Sequence, residues 1–155
     1  MPLPIKIEHR VGVQAPAEVI WESLYDLATW PSWSVIYPKA AGVVRMEATV
    51  DLELALPGHA PREIHPRILD WTPNDLIHWR DRMWRGLITS TRYFEIEVLS
   101  ETGCIFSNGE IYEGFGIRWF PAKLRKTIKA GFAAMGDSLR ERSEALWRER
   151  GGSAT

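Results

Sequence analysis

PAKLRKTIKAGFAAMGDSLRERSEALWRER, residues Pro121 to Arg150, carries Leu124, Ile128, Phe132, Met135, Leu139 and Leu146 at helical spacing. Pro121 suits the first turn of a helix, and Gly151-Gly152 stand where one ends. At 1.5 Å per residue such a helix is about 40 Å long, more than a single strand spans. It has to lie across a whole sheet. Gly131 and Gly136 adjoin its apolar stripe, and each costs about 1 kcal/mol in a helix relative to alanine. The missing side chains make room, either for a ligand or for a closely packed strand.

The sheet is written in the residues before this helix. Ile88 to Val98 and Cys104 to Gly114 read as strands separated by SETG. Earlier runs cover Glu63 to Trp71 and Leu76 to Arg82. Between Arg45 and Leu56 the apolar Met46, Ala48, Val50, Leu52, Leu54 and Leu56 alternate strictly with polar residues, until Pro57-Gly58 ends the pattern. At the start, Ile5, Ile7, Val11 and Val13 alternate with Lys6, Glu8 and Arg10. A helical stretch, APAEVIWESLYDLATW, then runs up to Pro31. Consecutive short strands imply an antiparallel meander, and helices segregated to one side of it make an α+β protein. The expectation is a curved antiparallel sheet of about six to seven strands wrapped around the long C-terminal helix.

Size and charge narrow the function. The chain has 155 residues, enough for one domain with a sizeable core and too few for two ordinary ones. Residues 1–150 are expected to form one domain, and 151–155 a disordered tail. With 19 basic and 20 acidic residues the formal net charge is -1, so no nucleic-acid partner is expected. Lys123, Arg125, Lys126 and Lys129 form a local basic cluster, which reads as a solvated helix face rather than a phosphate site. No window approaches the roughly 20 apolar residues of a membrane span. A single cysteine, Cys104, leaves no internal disulfide and fits a reducing, cytoplasmic location. His59 and His65, with Glu63 between them, lack a third ligand, so neither a metal site nor a cofactor is expected. No nucleophile elbow, Walker loop or dinucleotide fingerprint is present.

Strand parity then nominates an interior. Ile88, Phe94, Ile96 and Val98 share one face with Ser90 and Arg92, so Arg92 points inward. Cys104, Phe106, Asn108, Glu110 and Tyr112 share a face of the next strand. A short hairpin with Leu99 opposite Gly103 sets Arg92 opposite Glu110, Phe94 opposite Asn108 and Ser90 opposite Tyr112. An inward charge is tolerable when paired, which predicts an Arg92–Glu110 ion pair, either orienting a ligand or satisfying only itself. Trp79 is read as inward in preference to His78. In TWPSWSVIYP (29–38), Trp30, Trp33, Ile36 and Tyr37 form either a lid over a cavity mouth or a plug at the end of the core. Trp21 and Trp71 are read as packing residues, and Trp84 and Trp119 as edging an entrance. His9 is read as a core-edge histidine.

VQAPAEVIWESLYDLATWPSW (13–33), Trp79-Arg80, RYFEIEVLSETGCIFSNGEIYEGFG (92–116) and GFAAMGDSLRERSEA (131–145) together resemble the START-related SRPBCC superfamily. Its members include the birch-pollen allergen and polyketide cyclase or dehydratase-like proteins. The resemblance implies a helix-grip fold around an apolar cavity for lipids, polyketides, quinones or similar molecules. It implies no single reaction. The expected function is binding or transport of a small hydrophobic ligand between sheet and terminal helix. Trp33, Tyr37, Trp79, Arg92, Phe94, Asn108, Glu110, Tyr112, Ile128, Phe132 and Met135 are the candidate ligand-binding residues. One alternative is a cyclase/dehydratase-like enzyme, with Glu110 or Tyr112 moving protons and Arg92 holding a carbonyl or enolate. Another is a protein-interaction module using the aromatic loop.

Overall fold

The computed structural model describes residues 2–152. The tail expected at 151–155 therefore falls largely outside the described residues. Gly151 takes a φ of 78° just after the terminal helix, a left-handed stop that favours glycine.

That helix, α3 (Ala122–Glu149), spans 28 residues and buries Ile128, Phe132, Met135 and Leu139. It packs against β1 (Ile5–Val13) and α1 (Ala17–Tyr25). The main sheet runs β1-β8-β7-β6-β5, where β5 is Arg67–Thr72, β6 Leu76–Met83, β7 Ile88–Ser100 and β8 Gly103–Glu113. Every pairing is antiparallel. The first strand closes against the last, so the meander is flanked by the amino-terminal strand. A smaller sheet orders β2 (Lys39–Ala41), β3 (Asp51–Leu54) and β4 (Arg62–Ile64). The α+β, helix-grip expectation holds, with eight strands shared between two sheets among the described residues.

Three expected boundaries differ, each for a local reason. The regular alternation of 46–56 yields a strand only at β3. Glu47 has a φ of 65° and Ala48 N donates to the Arg45 carbonyl, so the chain turns there. Segment 47–50 instead bonds irregularly to the start of β5, through Ile68 and the Pro66 carbonyl, and so joins the two sheets. Pro66 offers no donor, and the run from 63 to 71 accordingly splits into β4 and β5. The first helix ends at Tyr25 rather than at Pro31. Pro31 sits inside the first turn of a second short helix, α2 (Trp30–Trp33), where its missing N–H costs nothing.

The β7–β8 register agrees with strand parity. Arg92 faces Glu110, Phe94 faces Asn108, and Ser90 faces Tyr112. At the hairpin end Ser100, not Leu99, lies opposite Gly103, and Leu99 is taken up by a bulge. Because the bulge lies beyond Val98, the inward faces stay aligned.

Candidate functional site

Between the two sheets and α3 the interior divides into a sealed half and an open half. In the sealed half, Trp30 is fully buried, with its ring centroid 5.6 Å from Trp33, 5.2 Å from Tyr37, 5.8 Å from Trp79 and 5.4 Å from Phe94. Its indole N–H donates to the Leu24 carbonyl at 3.0 Å. Trp33 donates to Thr29 Oγ1, and the Ser138 hydroxyl donates to its carbonyl, which ties α2 to α3. Of the lid and the plug, the structure shows the plug. Trp30, Trp33, Ile36 and Tyr37 are all buried, so this segment offers no aromatic contact surface to a partner protein. Trp21 and Trp71 stack in a separate cluster with Tyr25.

Arg92 lies against this plug, 1% exposed. Its guanidinium carbon sits 4.2 Å from the Phe94 ring centroid and 3.8 Å from that of Phe132, a sandwich of π faces around a cation. Nε donates to the Tyr37 hydroxyl, Nη1 to the Gly109 carbonyl and Nη2 to Asn108 Oδ1, each at 3.0 Å. Asn108 in turn donates to the Phe132 carbonyl of α3. The expected Arg92–Glu110 ion pair is therefore absent: the two residues are register partners, but the guanidinium is committed to neutral acceptors. Neutral oxygens and ring faces stabilise the buried charge in place of a carboxylate.

The open half is a cavity of about 350 Å³. Leu54, Leu56, Ile64, Met83, Leu124, Ile128 and Phe132 make its apolar wall, and Tyr37, Trp79, Asp81, Glu110 and Tyr112 its inner end. His59, Ala60, Arg62 and Trp84 rim the mouth. Tyr112 O–H donates to Glu110 Oε1 at 2.5 Å. Burial pushes the Glu110 carboxyl above the ordinary glutamate range; Arg92, Tyr112 and Ser90 oppose that shift, while the negative charge of Asp81 adds to it. Burial, followed by the Glu110 charge, drives the Tyr112 phenol well up, and it stays protonated. Tyr37 is also raised by burial, against the pull of Arg92. The inner end thus combines a carboxyl that readily holds a proton with a phenol that keeps one.

A family of proteins described as polyketide cyclase / dehydrase and lipid transport matches residues 4–144, nearly the whole chain. The chain belongs to this family. No curated protein sequence matches. As a member of this SRPBCC-type family, the protein is similar in structure to the Zhui aromatase/cyclase from a Streptomyces species, at 17% identity and a TM-score of 0.79 over 97% of this chain and 100% of that one. It also resembles the di-domain aromatase/cyclase StfQ of the steffimycin biosynthetic pathway, at 14% identity and a TM-score of 0.69, covering 97% of this chain and 53% of that. Norcoclaurine synthase from Thalictrum flavum, crystallised with dopamine and hydroxybenzaldehyde, matches at 16% identity and a TM-score of 0.68 over 94% and 88% of the two chains. At such identities the likeness is one of fold.

Within this family member the structure brings Tyr37, Trp79, Glu110, Tyr112, Ile128 and Phe132 together around the cavity. Trp33, Arg92, Phe94, Asn108 and Met135 are buried in the sealed half and do not line the cavity. Trp84 edges the mouth as expected from its place at a turn, whereas Trp119 points away, 65% exposed. His78 faces outward and bonds Glu95 at 2.8 Å. The space freed by Gly136 belongs to a close strand: a Cβ there would meet His9 Nδ1 at 2.9 Å. Sequence reasoning missed Leu54, Leu56, His59, Ala60, Arg62, Ile64, Asp81, Met83 and Leu124. Leu54, Leu56 and Leu124 stood in apolar patterns already, and what was lacking was knowledge of where β3, β4 and α3 converge.

Proposed function

We propose that this protein binds a small, largely apolar molecule bearing a hydroxyl or carbonyl oxygen, its apolar body against the Leu54–Ile128 wall and its oxygen toward Glu110 and Tyr112. The observation that carries this reading is a half-buried carboxyl, held by a buried phenol, at the inner end of a cavity walled mainly by apolar side chains. Among the described residues its hydrogen-bond partners are hydroxyls, those of Tyr112 and Ser90, and it forms no ion pair. Such a group is costly unless something meets it, and a ligand hydroxyl or carbonyl is suited to do so. The cavity lies toward the small end of the roughly 300–1,000 Å³ typical of small-molecule sites. Affinity comes from apolar burial at roughly 25 cal/mol per Å², and the polar end fixes the pose. Fluorescence titration with naphthol, an aromatic body with one hydroxyl, tests the reading. Wild type should bind, and Leu124→Trp, which fills the cavity, should not. Equal binding by both would place the probe elsewhere and remove the support.

A second reading is favoured by the 2.5 Å Tyr112–Glu110 hydrogen bond itself. A carboxyl with raised proton affinity beside a phenol is equipped to pass a proton to or from a bound carbonyl compound, as a cyclase or dehydratase requires. In that role Glu110 is the acid or base and Tyr112 its partner. Arg92, behind the cavity, holds the plug and touches no substrate. Turnover of polyketone substrates that disappears in Glu110→Gln while naphthol binding persists would establish this reading; turnover unaffected by the change would end it.

A further inference from the structure

We propose that the cavity mouth is also a docking face, and that this protein seats it on an anionic lipid bilayer surface. Two loops flank the mouth, 84–87 between β6 and β7 and 114–120 between β8 and α3. They touch: Gly116 N donates to the Leu87 carbonyl at 3.0 Å, and the Trp84 and Phe120 rings lie 6.1 Å apart. From this joined pair four large apolar side chains project into solvent, Trp119 at 65% exposure, Phe115 at 56%, Leu87 at 50% and Trp84 at 38%. That is a concentration of exposed apolar surface no folding argument requires. Trp84, Arg85 and Gly86 take consecutive positive φ values of 54°, 55° and 88°, a conformation that non-glycine residues adopt at a cost.

Charge identifies the occupant. Residues 82–89 and 113–130 hold seven basic side chains, Arg82, Arg85, Arg118, Lys123, Arg125, Lys126 and Lys129, against the single acid Glu113. All seven are exposed. The rest of the chain is net acidic, since the total is -1. The basic cluster at the start of α3, which alone reads as a solvated face, thus adjoins the projecting aromatics. Indole and phenyl rings suit the boundary between headgroups and acyl chains, and lysine and arginine beside them suit anionic headgroups. A docking surface for a nucleic-acid duplex would be basic without the aliphatic and aromatic tips, one for single strands would not need the aliphatic Leu87 beside them, and a protein-facing apolar patch would not need so one-sided a rim. Trp84 belongs both to this face and to the cavity rim, so a docked molecule presents its opening to the bilayer. This last consequence rests on the proposed ligand site; the docking itself does not.

Flotation of the full chain with vesicles tests the proposal. The protein should float with phosphatidylcholine vesicles containing phosphatidylserine and bind pure phosphatidylcholine at least about tenfold more weakly, with the difference shrinking as salt is raised. Lys126→Glu/Lys129→Glu and, separately, Phe115→Ser/Trp119→Ser should each lower partitioning about tenfold. Both should keep the thermal midpoint and naphthol affinity of wild type, which separates this outcome from failure of the ligand site. Val98→Ser/Leu99→Ser, at an equally exposed apolar tip on the far hairpin, should float like wild type. Absence of phosphatidylserine-dependent flotation at low salt would overturn the proposal. So would an equal loss in the far-hairpin variant, or self-association that the patch variants abolish with no vesicle binding in any of them.

Discussion

Arg92 and Glu110 face each other across β7 and β8, yet their surroundings are opposite. Arg92 keeps its charge in a dry site because three oxygens accept from it and two rings sandwich it. Glu110, on the neighbouring strand and the same face, has hydroxyl partners and the cavity beside it, and its proton affinity rises instead. The contrast shows that burial alone does not fix what an ionisable group does. The count and direction of the partners decide, and here one group became scaffold while the other was left available to a ligand.

The largest effect should come from breaking the sealed half. Arg92→Ala removes the donor to Tyr37, Gly109 and Asn108 and empties the space between Phe94 and Phe132. It should cost about 3–5 kcal/mol, measured by urea denaturation. Asn108→Ala, which leaves Arg92 Nη2 with only the Met135 sulfur and removes the side-chain donor to the Phe132 carbonyl, should cost about 1–3 kcal/mol in the same assay.

The open half should respond differently. In the folded protein the Glu110 carboxyl holds its proton to higher pH than it does in the unfolded chain. Its stabilising contribution is therefore full below the unfolded glutamate range and is lost as pH rises through the higher folded value. Glu110→Gln mimics the protonated form. It should match wild type at low pH and become the more stable of the two as pH rises, so denaturation at several pH values should show the gap opening. A gap independent of pH would contradict the burial of this carboxyl. Smallest of all, Leu124→Trp should change stability by no more than about 1 kcal/mol while abolishing naphthol binding, because its side chain grows into space rather than into neighbours. A large loss of stability there would mean the two halves are equally packed.

What was legible in the sequence follows the same division. Period-two alternation in Ile88–Val98 and Cys104–Gly114 sufficed to place Arg92 opposite Glu110, since a bulge at Leu99 leaves the pairing inside it unchanged. The apolar stripe of α3 likewise appears intact in the structure. Partner choice was not legible. An arginine opposite a glutamate suggests an ion pair, but the Tyr37 hydroxyl that takes Nε comes from 55 residues away, along a segment whose path no periodicity reports. The cavity wall from Leu54 to Ile64 was hidden for a similar reason. The alternation of 46–56 looks like one long strand, whereas the left-handed Glu47 and donorless Pro66 break the ladder, so β3 and β4 form a separate small sheet. Trp33 illustrates the limit of composition: an aromatic beside a proline can cover a mouth or fill a core, and only its tertiary neighbours distinguish the two.

Carbon-detected NMR titration of the glutamate side chains, with the Glu110 resonance assigned by its loss in Glu110→Gln, tests this division of the interior most directly. The Glu110 carboxyl should titrate above the ordinary glutamate range, and its resonance should move when naphthol is added. An ordinary titration midpoint together with indifference to naphthol would contradict the account, because Glu110 would then be a solvated carboxylate with no cavity beside it.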